Sequence, residues 1–312
     1  MRQDARQDRA GTERQEVKDV TELPVVVGVD GSESSLLAVD WAVDAAARHG
    51  QPLRLVHASL WERYEGYYPD AGTEQPSTER VLREHLVASA AERARLRNPE
   101  VKVSADIVPD DAVSVLLAEG RNASSLVTGS RGRGEIAGLL LGSVSLALAA
   151  RADCPVIVVR GAGASGGSTA GYVVLGVDDR HEDAAAARFA FREASARGCE
   201  LHAVRAWRCP AHEMPDHPLV EGHPAAAHHE RAVNALETSL RAAAEPYPEV
   251  SVRREAVEGP PRKVLLDAAA GAGLLVVGAH RRQGLFGLQL GLVGHTVLHH
   301  ADCPVAIVPE HI

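Results

Sequence analysis

Aromatic side chains are scarce: Phe, Tyr and Trp together make up 4% of the 312 residues. The core therefore has to be built from Ala, Val and Leu, and a single-stranded nucleic acid would find few rings to stack on. A basic excess is missing too. The net charge is -9, the wrong sign for a partner recognised through its phosphate backbone, so no nucleic-acid partner is expected. There are only four Cys, none at metal-ligand spacing, and no disulfide framework is implied. Long apolar runs are absent: Gly138 to Ala150 is too short to span a bilayer and is interrupted by Ser143 and Ser145. Met1 to Glu22 mixes Arg and Gln with Asp and Glu and has no apolar stretch of the signal-peptide kind. Residues 1–22 read as a disordered tail. The expectation is a cytoplasmic protein with reduced thiols and no membrane partner.

What is present is a repeat. Val25-Val26-Val27-Gly28-Val29-Asp30 returns as Val173-Val174-Leu175-Gly176-Val177-Asp178. Leu126-Val127-Thr128-Gly129 returns as Leu275-Val276-Val277-Gly278, and Asp153-Cys154-Pro155-Val156 as Asp302-Cys303-Pro304-Val305. The offset is 148 residues early in the repeat and 149 later, a period that means duplicated domains rather than a solenoid. Within each copy, short Val-rich runs alternate with segments of helical spacing. Ala38, Trp41, Ala42 and Ala45 lie on one face of a helix that Gly50 stops, and a second-copy helix over 182–197 stops at Gly198 in the same way. Buried strands alternating with helices predict an α/β fold, two tandem doubly wound parallel sheets that carry ligands beyond the strands' carboxyl ends. The expected division is a tail over 1–22, a first domain over 23–160, a Gly/Ser linker over 161–171 and a second domain over 172–312. The linker also matches a dinucleotide fingerprint (Gly161, Gly163, Gly166) and a nucleophile elbow (Gly163, Ser165, Gly167). Both motifs need a helix to follow, and a strand follows here.

The stretch with most chemistry is Gly129-Ser130-Arg131-Gly132-Arg133-Gly134, leading through Gly138 to Gly142-Ser143-Val144-Ser145. Glycines directly after a strand let backbone N–H groups approach an anion closely. The helix opening at Gly142-Ser143 offers free N–H groups, a positive dipole end and two hydroxyls. Arg131 and Arg133 are placed to neutralise phosphate. These residues by themselves fit a second reading equally: a glycine-shaped turn, an N-cap at Ser143 and solvated arginines.

The spacing Gly129-x2-Gly132-x9-Gly142-Ser143 resembles the nucleotide signature of the universal stress protein family. Val27 to Ser32 resembles that family's first strand and turn, and the two Cys-Pro-Val segments its last strand. The resemblance covers the chain apart from tail and linker. It implies Rossmann-like domains of the adenine nucleotide alpha hydrolase type and, in the first copy, ATP as ligand, with or without Mg2+. The positions implied for adenine and ribose are Val29, Asp30 and the main chain at Ala58. Those implied for the phosphates are Thr128, Gly129, Arg131, Gly132, Gly142, Ser143, Val144 and Ser145. In the second copy Gly278 and Gly291 remain, but Arg281 and Leu292 stand at the middle Gly and Ser positions, and Asp179-Arg180 replaces Gly31-Ser32. A β-carbon where backbone has to touch phosphate predicts a degenerate site, although Arg281 and Arg282 could instead clamp phosphate through their side chains. In the family the last strands of two domains pair, so 156–160 is expected beside 305–309 within one chain, with a homodimer through other faces also open.

The remaining clusters read as structural. His212, His217, His223, His228 and His229 have irregular spacing in a Pro/Ala-rich loop, which favours solvated side chains over a zinc or nickel site. His295 and His299 lack the Glu of a metalloprotease helix. Cys154 and Cys303 read as small buried hydrophobes. No general base is legible, so an ATP-holding stress-response module is favoured over a slow ATPase or a nucleotide-free interaction protein.

Overall fold

The computed structural model describes residues 23–60, 78–132, 141–160, 171–178, 184–209, 224–279, 281–284 and 287–309. The expected tail (1–22), nearly all of the linker and the His-rich loop from 210 to 223 lie outside them.

The first half contributes β1 (Val25–Gly28), α1 (Glu33–His49), β2 (Leu53–Ala58), α2 (Thr78–Arg97), β3 (Val103–Val108), α3 (Ala112–Gly120), β4 (Ser125–Gly129), α4 (Ser143–Arg151) and β5 (Val156–Val159). The second contributes β6 (Val173–Gly176), α5 (Ala184–Arg197), β7 (Leu201–Trp207), α6 (Pro224–Ala244), β8 (Val252–Glu258), α7 (Pro261–Ala268), β9 (Leu274–Ala279), β10 (Arg281–Gly284), β11 (Gly287–Leu290), α8 (Leu292–His300) and β12 (Val305–Pro309). The helices begin where local chemistry stops competing. Ser32 caps α1 by accepting from Ser35 N, and Asp111 caps α3 by accepting from Val113 N and Ser114 N.

Ten strands form one sheet in the order β3-β2-β1-β4-β5-β12-β9-β6-β7-β8. Each half is parallel, and the halves join where β5 and β12 run antiparallel, with Val305 opposite Val158 and Ile307 opposite Val156. This is the pairing expected of the two Cys-Pro-led strands. Each strand would be an unpaired apolar edge in an isolated half, and each covers the other here. The true outer edges, β3 and β8, carry exposed polar and charged residues such as Asp106, Arg253 and Arg254, which oppose edge-to-edge association.

Because the central strands are covered on both faces, they read as continuous apolar runs. Alternate residues feed two cores that extend across both halves. On one face Val25, Val27, Leu53 and Leu55 meet Ala38, Trp41 and Ala42 of α1, Ala90 and Ala94 of α2, Phe191 of α5 and Leu236 of α6. On the other, Val26, Val56 and Val158 meet Leu116 of α3, Leu148 of α4, Leu265 of α7 and Val297 of α8. Small residues let helices lie close to the sheet, which is how a chain so poor in aromatics closes a core. Cys154 and Cys303 are buried in the second of these cores, and burial pushes the Cys303 thiol up to about 11.

Between the halves, α1 and α5 carry charge into the interface. His49 Nε2 donates to Glu193 Oε1 at 2.8 Å, Arg197 reaches the same carboxylate at 3.1 Å, and the Arg197 guanidinium lies 5.6 Å from the Trp41 ring centre. Burial raises the Glu193 carboxyl, but His49, Arg197 and Arg192 together outweigh it and hold the group well below the usual carboxylate range. Bidentate Arg93–Asp40 and Arg97–Asp44 pairs tie α2 to α1.

Candidate functional site

In the first half the chain leaves β1 for β2 on one side and returns to β4 on the other, so β1 and β4 flank a topological switch point. Beyond their carboxyl ends opens a cavity of about 520 Å3, within the range of roughly 300–1,000 Å3 usual for small-molecule sites. All eleven residues singled out in the sequence line it: Val29, Asp30, Ala58, Thr128, Gly129, Arg131, Gly132, Gly142, Ser143, Val144 and Ser145. Arg133, Gly134 and Gly138 lie outside the described residues.

Close contacts hold the wall together. The carboxylate Oδ1 of Asp30 accepts from Ser32 N at 3.0 Å and Ser32 Oγ at 2.7 Å, which fixes the turn into α1. The Arg131 carbonyl accepts from the Ser34 hydroxyl, and Gly142 N donates to Ser130 O at 2.8 Å, drawing the two ends of the glycine loop together. Thr128 Oγ1 donates to Ser145 Oγ at 3.2 Å, which donates to Gly129 O at 2.8 Å. The Ser145 hydroxyl is therefore spent on the loop. Ser143 is exposed, makes no side-chain hydrogen bond among the described residues, and is the first residue of α4, whose N-cap is Gly142. The reading of Ser143 as an N-cap does not hold, because its own backbone is already helical. The amides of Ser143, Val144 and Ser145 precede the first intrahelical bond, Leu146 N to Gly142 O, and line the cavity.

The glycines divide by what surrounds them. A β-carbon at Gly129 would stand 2.5 Å from the Ser34 backbone, and one at Gly132 2.7 Å from Asp30 Oδ2. Packing alone accounts for both. At Gly142 a β-carbon would meet nothing among the described residues closer than 3.6 Å, and its φ of -75° suits any residue. Neither the described packing nor the backbone conformation requires that glycine.

Two features of the region were not read from the sequence. His57 lines the cavity beside Ala58, with Nδ1 2.8 Å from Val29 O; the available signal was that Leu53, Leu55 and His57 share one face of β2. In the second copy the segment matching the glycine loop forms the β10–β11 hairpin, with Arg281 opposite Leu290, and β11 packs against α4 of the first half. Gly291 is the N-cap of α8, but Leu292 stands 68% exposed where the first copy has Ser143. Asp179 and Arg180 lie outside the described residues, as do the side chains of Arg281 and Arg282.

His295 and His299 stack at 4.5 Å on α8, and burial, followed by His295 and His300, lowers the His299 pKa. Among the described residues no three His, Cys, Asp or Glu side chains form a group able to hold a metal, and no helix is long and apolar enough to cross a membrane.

Fold and cavity together define a tandem α/β protein with a cavity of small-molecule size in its first half. The universal stress protein family model matches residues 23–160 and again 171–309. The chain is 36% identical over 295 residues to the universal stress protein Rv2005c of Mycobacterium tuberculosis H37Rv, covering 92% of this chain and 97% of that protein. It is 31% identical over 304 residues to a universal stress protein of Mycolicibacterium smegmatis, covering 94% and 99%. The crystal structure of a universal stress protein from Archaeoglobus fulgidus aligns with a TM-score of 0.64 at 16% identity, over 92% of this chain and 98% of that one. This chain belongs to the universal stress protein family.

Proposed function

We propose that the chain is a cytoplasmic stress-response module that binds one ATP, with or without Mg2+, in the first-half cavity, and that occupancy of this site alters the surface offered to partners. The observation that carries the reading is Gly142: among the described residues neither packing nor backbone conformation calls for a glycine there, and beside it are three helix-start amides and a serine hydroxyl with no described partner. An anionic group is what such a terminus attracts. The Arg131 side chain at the rim suits the phosphates, and the Val29, Asp30 and Ala58 end is left for adenine and ribose. In the second copy the hairpin and the exposed Leu292 occupy the matching positions, so that half is proposed to serve as scaffold and reporter without a nucleotide. The test is to denature the purified protein, chromatograph any released nucleotide, and titrate the stripped chain with Mg-ATP. Absence of binding at millimolar ATP refutes the proposal.

A further inference from the structure

We infer that His57 is a positioning residue for base recognition: it holds β1 and β2 apart at their ends, leaving the Ala58 main chain free to read the edge of the nucleobase. This rests on the nucleotide site proposed above.

The argument is one of ladder accounting. The β1–β2 ladder runs from Val25 opposite Leu53 to Gly28 opposite Val56, and Val29 N prolongs it by donating to Val56 O at 2.9 Å. In a parallel ladder the next rung would run from Ala58 N to the Val29 carbonyl. That carbonyl instead accepts from His57 Nδ1 at 2.8 Å. A carbonyl only accepts, so Nδ1 carries the proton. Strand alternation shows where the displaced Ala58 amide points. Leu53 N and Ser59 N both donate towards β3, to Lys102 O and Val108 O, so the N–H and C=O of Ala58 face the β1 side. There the strands have parted and Ala58 lines the cavity.

One residue thus presents a donor and an acceptor side by side. That pair complements a base edge with a ring-nitrogen acceptor next to an exocyclic amino donor, as in adenine. It opposes the N–H and oxo pair of hypoxanthine or guanine. The duplication supplies a contrast. In the second copy Val177 N donates to Val204 O as its counterpart does, but Arg205 replaces His57 and donates to the Asp178 carbonyl, one residue further along. The two halves share the rung and differ in the side chain that ends it.

The experiment compares ATP with inosine triphosphate by calorimetric titration of the intact chain, for wild type, His57→Leu and His57→Asn. Wild type is expected to prefer ATP by at least about tenfold, the scale of one mismatched hydrogen-bond pair. His57→Leu removes the competing donor, lets Ala58 N close onto Val29 O, and should bring the ratio close to one. The ATP-to-AMP ratio, set at the phosphate end, should stay unchanged. His57→Asn keeps a donor and should restore the preference. Amide exchange gives a readout without ligand: Ala58 should exchange readily in the wild type and become protected in His57→Leu. An unaltered ATP-to-inosine-triphosphate ratio in His57→Leu, or an Ala58 amide already protected in the ligand-free wild type, overturns the inference and leaves nucleotide binding standing. A wild type that binds neither nucleotide overturns both.

Discussion

Glu193→Gln leaves His49, Arg197 and Arg48 facing a neutral amide inside the junction of the two halves. The side chains of His49 and Glu193 are only 13% and 3% exposed, so solvent cannot replace the lost charge. Arg48 is itself short of compensation, since its Nε is buried with no partner among the described residues and burial, then Arg197, lowers its pKa. Removing one member of a buried ion pair typically costs about 3–5 kcal/mol. Gln retains part of the hydrogen bonding, so about 3 kcal/mol is expected at pH 7, or roughly 5 °C in melting temperature for a chain of this size. The pH dependence has a fixed sign. The Glu193 carboxyl is held below its ordinary value of 4.5, so the ionised group contributes its full stability above that value and loses it progressively as pH falls towards the folded value. Urea unfolding at pH 7 and from pH 5 to pH 3 should show a gap between wild type and variant at pH 7 that narrows as the pH falls from about 5 towards 3. Equal stability at pH 7, or a gap as wide at pH 3 as at pH 7, would refute the reasoning.

Calorimetric titration with Mg-ATP should give one site per chain; two sites of similar affinity would show that Leu292 and the hairpin do not disable the second copy. Gly132→Arg should abolish ATP binding, and because any β-carbon at 132 presses on Asp30 Oδ2, a modest loss of thermal stability should accompany it; unchanged binding would return the glycine loop to the status of a turn. Proteolysis within 161–170 should leave the halves co-eluting, since β5 pairs with β12 and both cores cross the junction; separation on a sizing column without denaturant would contradict this. Lys at Ile157 and Ile307 is a poor probe of that pairing, because the two side chains are buried in opposite cores and the charges would unfold both. A native-state thiol reagent should label at most Cys199 and Cys209, with Cys154 and Cys303 reacting only after unfolding.

Much of the fold was legible because each strand and helix announces itself over a few residues. The Val-rich runs of β1 and β6 have no reading except buried strands, and the repeat offset fixed the duplication before any contact was known. The eleven cavity residues converge because the switch point of a doubly wound sheet is set by topology. What stayed hidden depends on distant or competing partners. His57 looks like a strand polar residue until the neighbouring rung is seen to be missing. Glu193 reads as a surface residue on a helix until His49 of the other half is brought against it. The β10–β11 hairpin was not legible either, because the second-copy segment was read only for its lost glycine and serine positions.

Glu193 also shows what fusing two such domains makes possible. Its counterpart in the first half is Ala45, and the counterpart of Arg197 is His49. A single carboxylate therefore lies between two basic side chains that the internal repeat makes equivalent. In a dimer of identical subunits a lone carboxylate of this kind is forbidden: every residue appears twice, and each Glu would bring a second one with it. A covalent pair is free of that rule. Each half can mutate alone, so one can keep a ligand cavity while the other relinquishes it, and the seam between them can evolve as a contact between different surfaces.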